Sequence, residues 1–321
     1  MTAGDTGIKL FCPHCRAGLA ALNFDGPATE MPCQCGQIYH WDGAIAHMIP
    51  PERRARLQPF LAHYTAVRKR EGRMDWTAES WRALPRTAPD HRHAREWRIR
   101  AQSYAAFAGL LGRRSAGALV ILDLGAGNGW LSQRLSRLGH RPVAVDIHPD
   151  DCDGLGAGRH FGATWPAIEA EYDALPLADD FADIAVFNGS LHYSAGLEGT
   201  IAEAVRVLRP GGTIVVMDSP IYRDPASGEQ MVAEMGRYFR HDLGLEPPQR
   251  SATGYLTWSM LAGLAGAHGA GLRIVRPFYG LRWALRPLLS RMRGSREPAA
   301  FAVIRLELPA TQKPPTARPG V

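Results

Sequence analysis

Leu122-Asp-Leu-Gly-Ala-Gly-Asn-Gly-Trp130, entered from the apolar run Ala118 to Ile121, decides the fold of this chain. A buried strand running straight into a three-glycine turn predicts that the turn opens a helix. Glycine has no Cβ, so Gly125, Gly127 and Gly129 let the backbone turn sharply and approach a ligand closely. The helix expected over about Trp130 to Leu138 then points its free amides at whatever sits in the turn. Turns of this kind serve dinucleotides, phosphates and S-adenosylmethionine alike. The spacing here is Gly-x-Gly-x-Gly, one residue short of the dinucleotide pattern, and there is no Gly-Lys-Ser/Thr of a phosphate loop.

Arg141-Pro-Val-Ala-Val-Asp146 reads as a second apolar strand. Its terminal acid falls about twenty residues after the first glycine, where a doubly wound sheet places a carboxylate on ribose hydroxyls. Asp146 is therefore the candidate ribose ligand. Because His148-Pro-Asp-Asp151 follows at once, a capping or turn aspartate is the structural alternative.

With these two signals the chain resembles the class I S-adenosylmethionine-dependent methyltransferases of the type 11 kind, and the resemblance continues in order. Asp173-Ala-Leu-Pro-Leu-Ala-Asp-Asp-Phe-Ala-Asp183 is similar to the acidic-Leu-Pro-Phe segment that follows the third strand of that family. Ile184-Ala-Val-Phe-Asn-Gly-Ser-Leu-His192 resembles its fourth strand and loop. Glu203-Ala-Val-Arg-Val-Leu-Arg-Pro-Gly-Gly-Thr213 resembles the helix and turn that enter a fifth strand, Ile214 to Asp218. Leu272 to Arg276 and Phe301 to Leu308 would form the closing hairpin. About two thirds of the chain is covered. The resemblance implies an α/β fold, a Rossmann-like, mostly parallel sheet closed by an antiparallel hairpin.

The resemblance also implies a site. Asp123, Gly125, Ala126, Gly127, Asn128 and Gly129 would hold the methionine end of S-adenosyl-L-methionine, with Asp146 and Ile147 beside the ribose. Asp173 would meet the adenine amino group, with Glu171 as the competing acid. Asn188 would line the cleft at the carboxyl end of its strand. As in many family members, a helix beginning near Glu96-Trp-Arg-Ile-Arg-Ala-Gln-Ser-Tyr104 would lie over the cofactor mouth, bringing Tyr104 and Arg100 to the methionine portion. Methyl transfer needs a nucleophile held in line with an activated methyl group and water excluded. A base is needed only for a weak, protonated nucleophile. His192 is the candidate, since imidazole titrates near working pH, and a packing role is its alternative. Tyr193 and Asp218-Ser-Pro-Ile-Tyr222 would line the same pocket or serve the fold.

Phe11-Cys-Pro-His-Cys15 and Cys33-Gln-Cys35-Gly36 gather four of the five cysteines near the amino terminus. Two such pairs suit a tetrahedral structural Zn2+ site on Cys12, Cys15, Cys33 and Cys35, the alternative being disulfides. With no signal peptide in view the expected setting is a reducing cytoplasm, which favours the metal. The second pair is Cys-x-Cys, which leaves His14 or His40 as a substitute ligand. Tyr39-His-Trp-Asp-Gly43 through Met48-Ile-Pro50 resembles the tail of zinc ribbons that precede some methyltransferases, bacterial ribosomal-RNA guanine methyltransferases among them. The active-site loop of those enzymes is not matched by Asn188-Gly-Ser-Leu-His-Tyr193. Cys152 stands alone and reads as a bystander.

The expected organisation is a zinc ribbon over 1–50, a basic helical linker over 51–95, a methyltransferase domain over 96–310 and a disordered tail over 311–321. Glu52 to Arg114 holds fifteen Lys and Arg against six Asp and Glu, whereas the whole chain carries a net charge of +6. The bland explanation, solvated helices whose Trp76, Trp81 and Trp97 pack on the catalytic domain, is preferred over an RNA platform. Leu281-Arg-Trp-Ala-Leu-Arg-Pro-Leu-Leu-Ser-Arg-Met-Arg293 interrupts the final hairpin as a substrate lid or a surface helix meeting a membrane, with Pro287 breaking any long helix. No run is long and apolar enough to cross a bilayer, so stable membrane insertion is not expected. The insert from Ser219 to Ser259 is placed to cap a pocket, which favours a small-molecule acceptor. An RNA acceptor is the first rival and a non-catalytic, cofactor-binding partner protein the second. The oligomeric state has no signature in the sequence.

Overall fold

The computed structural model describes residues 8–74, 76–112, 117–248 and 253–311, so the expected tail lies, apart from Thr311, outside the described residues. The chain opens with short strands: β1 (Ile8–Phe11), β2 (Gly18–Leu22), β3 (Thr29–Pro32), β4 (Ile38–Trp41) and β5 (Ala46–His47). Three helices follow: α1 (Pro51–Arg70), α2 (Ala78–Ala83) and α3 (Ala94–Leu111). The middle of the chain alternates, through β6 (Val120–Leu124), α4 (Trp130–Arg137), β7 (Arg141–Asp146), β8 (Ala167–Glu169), β9 (Ala182–Asn188), α5 (Leu197–Val207) and β10 (Leu208–Met217). The last third adds β11 (Ile221–Tyr222), α6 (Pro225–His241), β12 (Leu256–Thr257), α7 (Trp258–Ala267), β13 (Gly271–Val275), α8 (Leu281–Ala284), α9 (Arg286–Met292) and β14 (Val303–Glu307).

β6, β7 and β9 are runs of aliphatic and β-branched residues buried almost throughout, as parallel strands covered on both faces must be. Helix starts are fixed locally. Thr77 and Thr257 accept hydrogen bonds from the amides of Ser80 and Met260, and Asp224 accepts from Ala226 ahead of α6, whose first residue is Pro225.

Ten strands form one sheet in the order β13-β14-β10-β9-β6-β7-β8-β5-β4-β3. Strands β6 to β10 are mutually parallel, and β14 and β13 close the far edge as an antiparallel hairpin. The chain builds from β6 out to β8, then crosses back to β9 on the other side of β6. The carboxyl ends of β6 and β9 therefore flank the switch point where such sheets bind ligands.

The sheet does not stop at β8. β5 pairs in parallel with it, Ala46 opposite Ile168 and His47 opposite Glu169, and β4 and β3 continue the sheet outward. The boundary expected at residue 50 thus falls inside one sheet and one core, where Leu10, Tyr39, Trp41 and Met48 are buried together with Leu122, Val145 and Ile168. A ribbon this short cannot enclose a core alone, and it borrows the edge of the larger sheet. Arg16 ties it further, donating to the carbonyls of Leu175 at 2.7 Å and Leu177 at 3.1 Å.

Residues 51–95 are not a linker. Arg53 pairs with Glu171 and Asp173, Arg54 with Glu169, Arg68 with Asp153, and Arg73 with Glu71 and Glu96. The local surplus of positive charge meets acids of the catalytic domain. Trp76 stacks on Trp81 at 5.1 Å and meets Trp97 edge-on, while Trp97 abuts Trp130 at the head of α4. The tryptophans fasten α2 and α3 to the sheet.

Candidate active site

The glycine turn forms as its composition demands. Gly125, Gly127 and Gly129 have φ of +80°, +53° and +80°, a region that side chains with a Cβ rarely adopt. A Cβ on Gly125 would also overlap Ser190 Cβ and the Tyr172 hydroxyl, so the backbone there approaches its neighbours as closely as it can. The amides of Gly125 and Ala126 both donate to the Val145 carbonyl, at 2.8 and 3.1 Å, which locks the turn against β7. Asn128 caps α4 by accepting from the Trp130 amide at 3.1 Å.

Asp146 ends β7 with its carboxylate gripped by two amides, Gly127 on Oδ2 at 2.8 Å and His148 on Oδ1 at 2.9 Å. Burial pushes its carboxyl above the ordinary range, although these amides and His148 oppose that. Asp146, Ile147 and His148 line a cavity of about 120 Å³ together with Gly125, Gly127 and Tyr172. Glu171 and Asp173 also line it, Glu171 half-buried and Asp173 exposed at the rim, with Arg53 bridging the two. Phe60 and Tyr64 of α1 roof this space, held down by Thr65 against His148 at 3.2 Å and by Arg68 on Asp153 at 2.9 Å.

A second cavity, of about 510 Å³, opens from the same glycines. Asn188, His192 and Tyr193 form its floor at the end of β9, and Trp97 and Arg100 of α3 form one side. Met231, Met235 and Phe239 of α6 form the opposite wall, so the insert after β10 does cap a pocket. Arg68, Glu71, Arg73 and Glu96 give the cavity a charged end. There Arg100 and Arg73 overcome the cost of burial and hold the Glu96 carboxyl at about 2. His192 places Nδ1 3.1 Å from Ser219 Oγ and packs on Tyr193 at 4.2 Å.

Not every expected ligand reaches the cleft. Asp123 is buried beneath the turn, where Oδ2 accepts from Ser132 at 2.8 Å, and it lines neither cavity. Burial raises its carboxyl to about 7. Gly129 turns toward Trp165. Tyr104 is displaced outright: it packs edge-on against Trp130 at 5.9 Å and lines a surface hollow with Arg134 and Arg137, because α3 has passed behind the head of α4 by that turn. Arg100, one turn earlier, lines the cleft. Sequence reasoning missed the roof, Phe60, Tyr64 and Arg68, and the Asp153 that anchors it. The i, i+4 spacing of Phe60, Tyr64 and Arg68 was the available signal.

Fit to S-adenosylmethionine can be judged from these residues. The cleft offers a glycine cradle that a Cβ would close, an acid already oriented at the end of β7, and a buried Asn188 Oδ1 with no hydrogen-bond partner. Those are acceptors for hydroxyl and ammonium groups, and the space, that a nucleoside with an amino-acid tail requires.

At the amino terminus the four Sγ atoms of Cys12, Cys15, Cys33 and Cys35 lie within 4.8 Å of one another, and no disulfide joins them. The Cys12–Cys35 and Cys15–Cys33 separations are 3.7 and 3.5 Å. Sulfurs about 2.3 Å from a tetrahedral centre would stand about 3.8 Å apart. The cluster is compatible with a small metal-binding segment. Among the described residues neither His14 nor His40 joins it, and His40 instead stacks on His47 at 4.8 Å.

Residues 122–216, from β6 into β10, match the family described as a methyltransferase domain. An uncharacterized methyltransferase of Mycobacterium marinum is 27% identical over 179 residues, 53% of this chain and 69% of that protein. A dimethylglycine N-methyltransferase of Parasynechococcus marenigrum is 29% identical over 150 residues, 45% of this chain and 50% of that protein. A malonyl-[acyl-carrier protein] O-methyltransferase of Buchnera aphidicola is 30% identical over 97 residues, 30% of this chain and 38% of that protein. The last two are named for different acceptors.

Proposed function

We propose that the chain, an S-adenosylmethionine-dependent methyltransferase, methylates an O, N or C nucleophile of a small, largely apolar acceptor held between α1, α3 and α6. The larger cavity carries this proposal. Its volume of about 510 Å³ and its Met, Trp and Phe walls with a few charged groups at one end are those of a small-molecule site. Arg53, Arg54, Arg68 and Arg73 of the basic segment are paired with acids of the same chain and are not free to take the phosphates of a structured RNA.

Bound cofactor supplies an electrophilic methyl group on a sulfonium. Asp146 is set to accept the ribose hydroxyls, and Glu171, the better buried of the two acids, to meet the adenine edge with Asp173 outside it. Asn188 is set for the amino-acid portion, beside the close backbone approach that the glycine turn allows. The roof from Phe60 to Arg68 keeps water away from the reacting atoms, and α6 presses the acceptor toward the floor. With Nδ1 engaged by Ser219, His192 would take a proton from the acceptor through Nε2. The four thiolates would hold a structural Zn2+, saturated and without an open position for substrate.

The test is calorimetric titration of the purified protein with S-adenosylmethionine, beside Asp146→Ala, followed by transfer of labelled methyl to candidate small molecules and to structured RNA. Saturable binding lost in the variant, with label entering a small molecule, is the expected result. Label entering RNA alone would sink the acceptor assignment. His192→Gln should lower kcat about 10²-fold or more with cofactor affinity unchanged if the imidazole is the base.

A further inference from the structure

The segment between β13 and β14 takes no part in the site above. From Arg276 to Arg296 it contains six arginines and no acidic residue. Leu285 is helical and joins α8 to α9, its amide donating to Leu281 and its carbonyl accepting from Leu289, both at 3.0 Å. The two short helices thus follow each other directly, with Pro287 in the first turn of the second.

The pair carries its apolar side chains outward. Leu281, Leu285, Leu288 and Met292 are 75%, 50%, 56% and 76% exposed, and they recur at the spacing of a single helical face. Six of the eleven exposed large apolar residues among the described residues fall between Phe278 and Met292, which makes this one patch and not scatter. The neighbouring cations are unspent. Among the described residues no ion pair reaches Arg276, Arg282, Arg286, Arg291 or Arg293. Arg286 lies over the Trp283 ring at 3.9 Å, and burial together with Arg95 and Arg296 pushes its guanidinium below the usual range.

We infer that α8 and α9 form an interfacial anchor for an anionic phospholipid bilayer. The leucine and methionine stripe enters the boundary between headgroups and acyl chains, and the unpaired arginines take the lipid phosphates. A stripe of aliphatic side chains with flanking cations suits that boundary, whereas single-stranded RNA needs exposed aromatic platforms. Here Phe278 alone of the segment's rings is exposed, at 66%, whereas Trp283 is stacked on Phe301 at 5.4 Å and covered by Arg286. Association is at the surface, since no helix among the described residues is long and apolar enough to cross a membrane. β13 runs antiparallel to β14 and β14 antiparallel to β10, so the insert leaves the sheet at the carboxyl end, where the cleft opens. Tyr279 at its root reaches α3 through Ser103 at 2.9 Å. The anchor therefore turns the cleft end of the molecule toward the bilayer.

The experiment is flotation of the full chain with phosphatidylcholine vesicles, with and without phosphatidylglycerol, beside Leu281→Gln/Leu285→Gln/Met292→Gln and Arg282→Gln/Arg291→Gln/Arg293→Gln. Wild type should float only with the anionic vesicles, and added salt should release it. The apolar triple should lose at least about tenfold in partitioning. The arginine triple should lose on the order of a hundredfold, at about fivefold per charge. Calorimetric binding of S-adenosylmethionine unchanged in both variants shows that they are folded. Absence of flotation, flotation equal with both vesicle types, or an apolar triple that floats like wild type would each overturn the proposal. Retention by single-stranded RNA without vesicle binding would do the same and reassign the face to nucleic acid.

Discussion

Glu169→Gln tests whether the ribbon, the roof and the catalytic sheet are held as one piece. Glu169 ends β8 with no exposed surface. His47 Nδ1 of β5 lies 2.6 Å from Oε2, and Arg54 of α1 is bidentate at 2.5 and 2.6 Å. Burial alone would raise the carboxyl, but hydrogen bonds and charge from His47 and Arg54 outweigh it and hold Glu169 below its ordinary 4.5. His47 is raised above 6.5, first by Glu169 and then, against desolvation, by Asp42 on its other nitrogen. The glutamine keeps the shape and removes the charge, leaving Arg54 uncompensated and protonated His47 with Asp42 alone. Breaking a buried pair in this way costs roughly 3–5 kcal/mol, and Arg54, 37% exposed and able to take water, sets the expectation at the low end, about 3 kcal/mol. A depressed acid contributes fully above its unfolded value and loses that contribution as pH falls through the folded one. A raised histidine contributes fully below its unfolded value and loses that contribution as pH rises through the folded one. Both contributions are complete between pH 4.5 and 6.5, so urea unfolding followed by tryptophan fluorescence should show the largest deficit in that window and a smaller one on the alkaline side. A deficit under about 1 kcal/mol there, or one flat across pH, would refute the network as the joint between the three parts.

Three further outcomes follow from the same geometry. Gly125→Ala combines roughly 1–2 kcal/mol of left-handed strain with an overlap of about 1–3 kcal/mol against Ser190 and Tyr172. A lowered melting temperature and no calorimetric cofactor binding are expected, and unaltered binding would show that the turn is not a cradle. Arg68→Gln leaves Asp153 buried without its partner and loosens the roof, so the Kd for S-adenosylmethionine should rise about 10–100-fold, chiefly through faster dissociation in stopped-flow. Chelation of the bound metal should melt the ribbon and weaken cofactor binding as well, because β5 supports β8; a thermal midpoint indifferent to chelator, with the metal shown to be gone, would remove the metal from the account.

What was legible in the sequence was what short-range pattern encodes. The glycine turn, the acid six residues into β7 and the strands of the closing hairpin fall where their periodicity puts them, since each is decided by a handful of neighbouring residues. The stretch around Pro287 forms two short helices, α8 and α9, with the proline in the first turn of the second. The basic segment could not be read the same way. Arg53 finds Glu171 and Asp173, and Arg68 finds Asp153, about a hundred residues downstream, so part of a charge run that looks solvated locally is paired in place. Tyr104 failed for a related reason: a helix axis crossing over α4 decides which turn faces the cleft, and no feature of the helix itself records that crossing.

The same long-range pairing explains why a four-cysteine cluster belongs on this chain although it stands apart from the cleft. β5 adds to β8 through only two residue pairs, too few to hold that strand unaided. The thiolate cluster fixes the turns that lead into β2 and β4, β4 fixes β5, and β5 delivers the chain through Pro50 directly into α1. α1 is the roof, and it spans from Glu171 and Asp173 at Arg53 to the turn after β7 at Arg68. A helix whose polar and apolar residues show no clean stripe cannot find that position by burying one face. It is positioned by ion pairs at both ends and by a strand bonded into the sheet at its entrance, so the order of the ribbon becomes the order of the roof over the cofactor cleft.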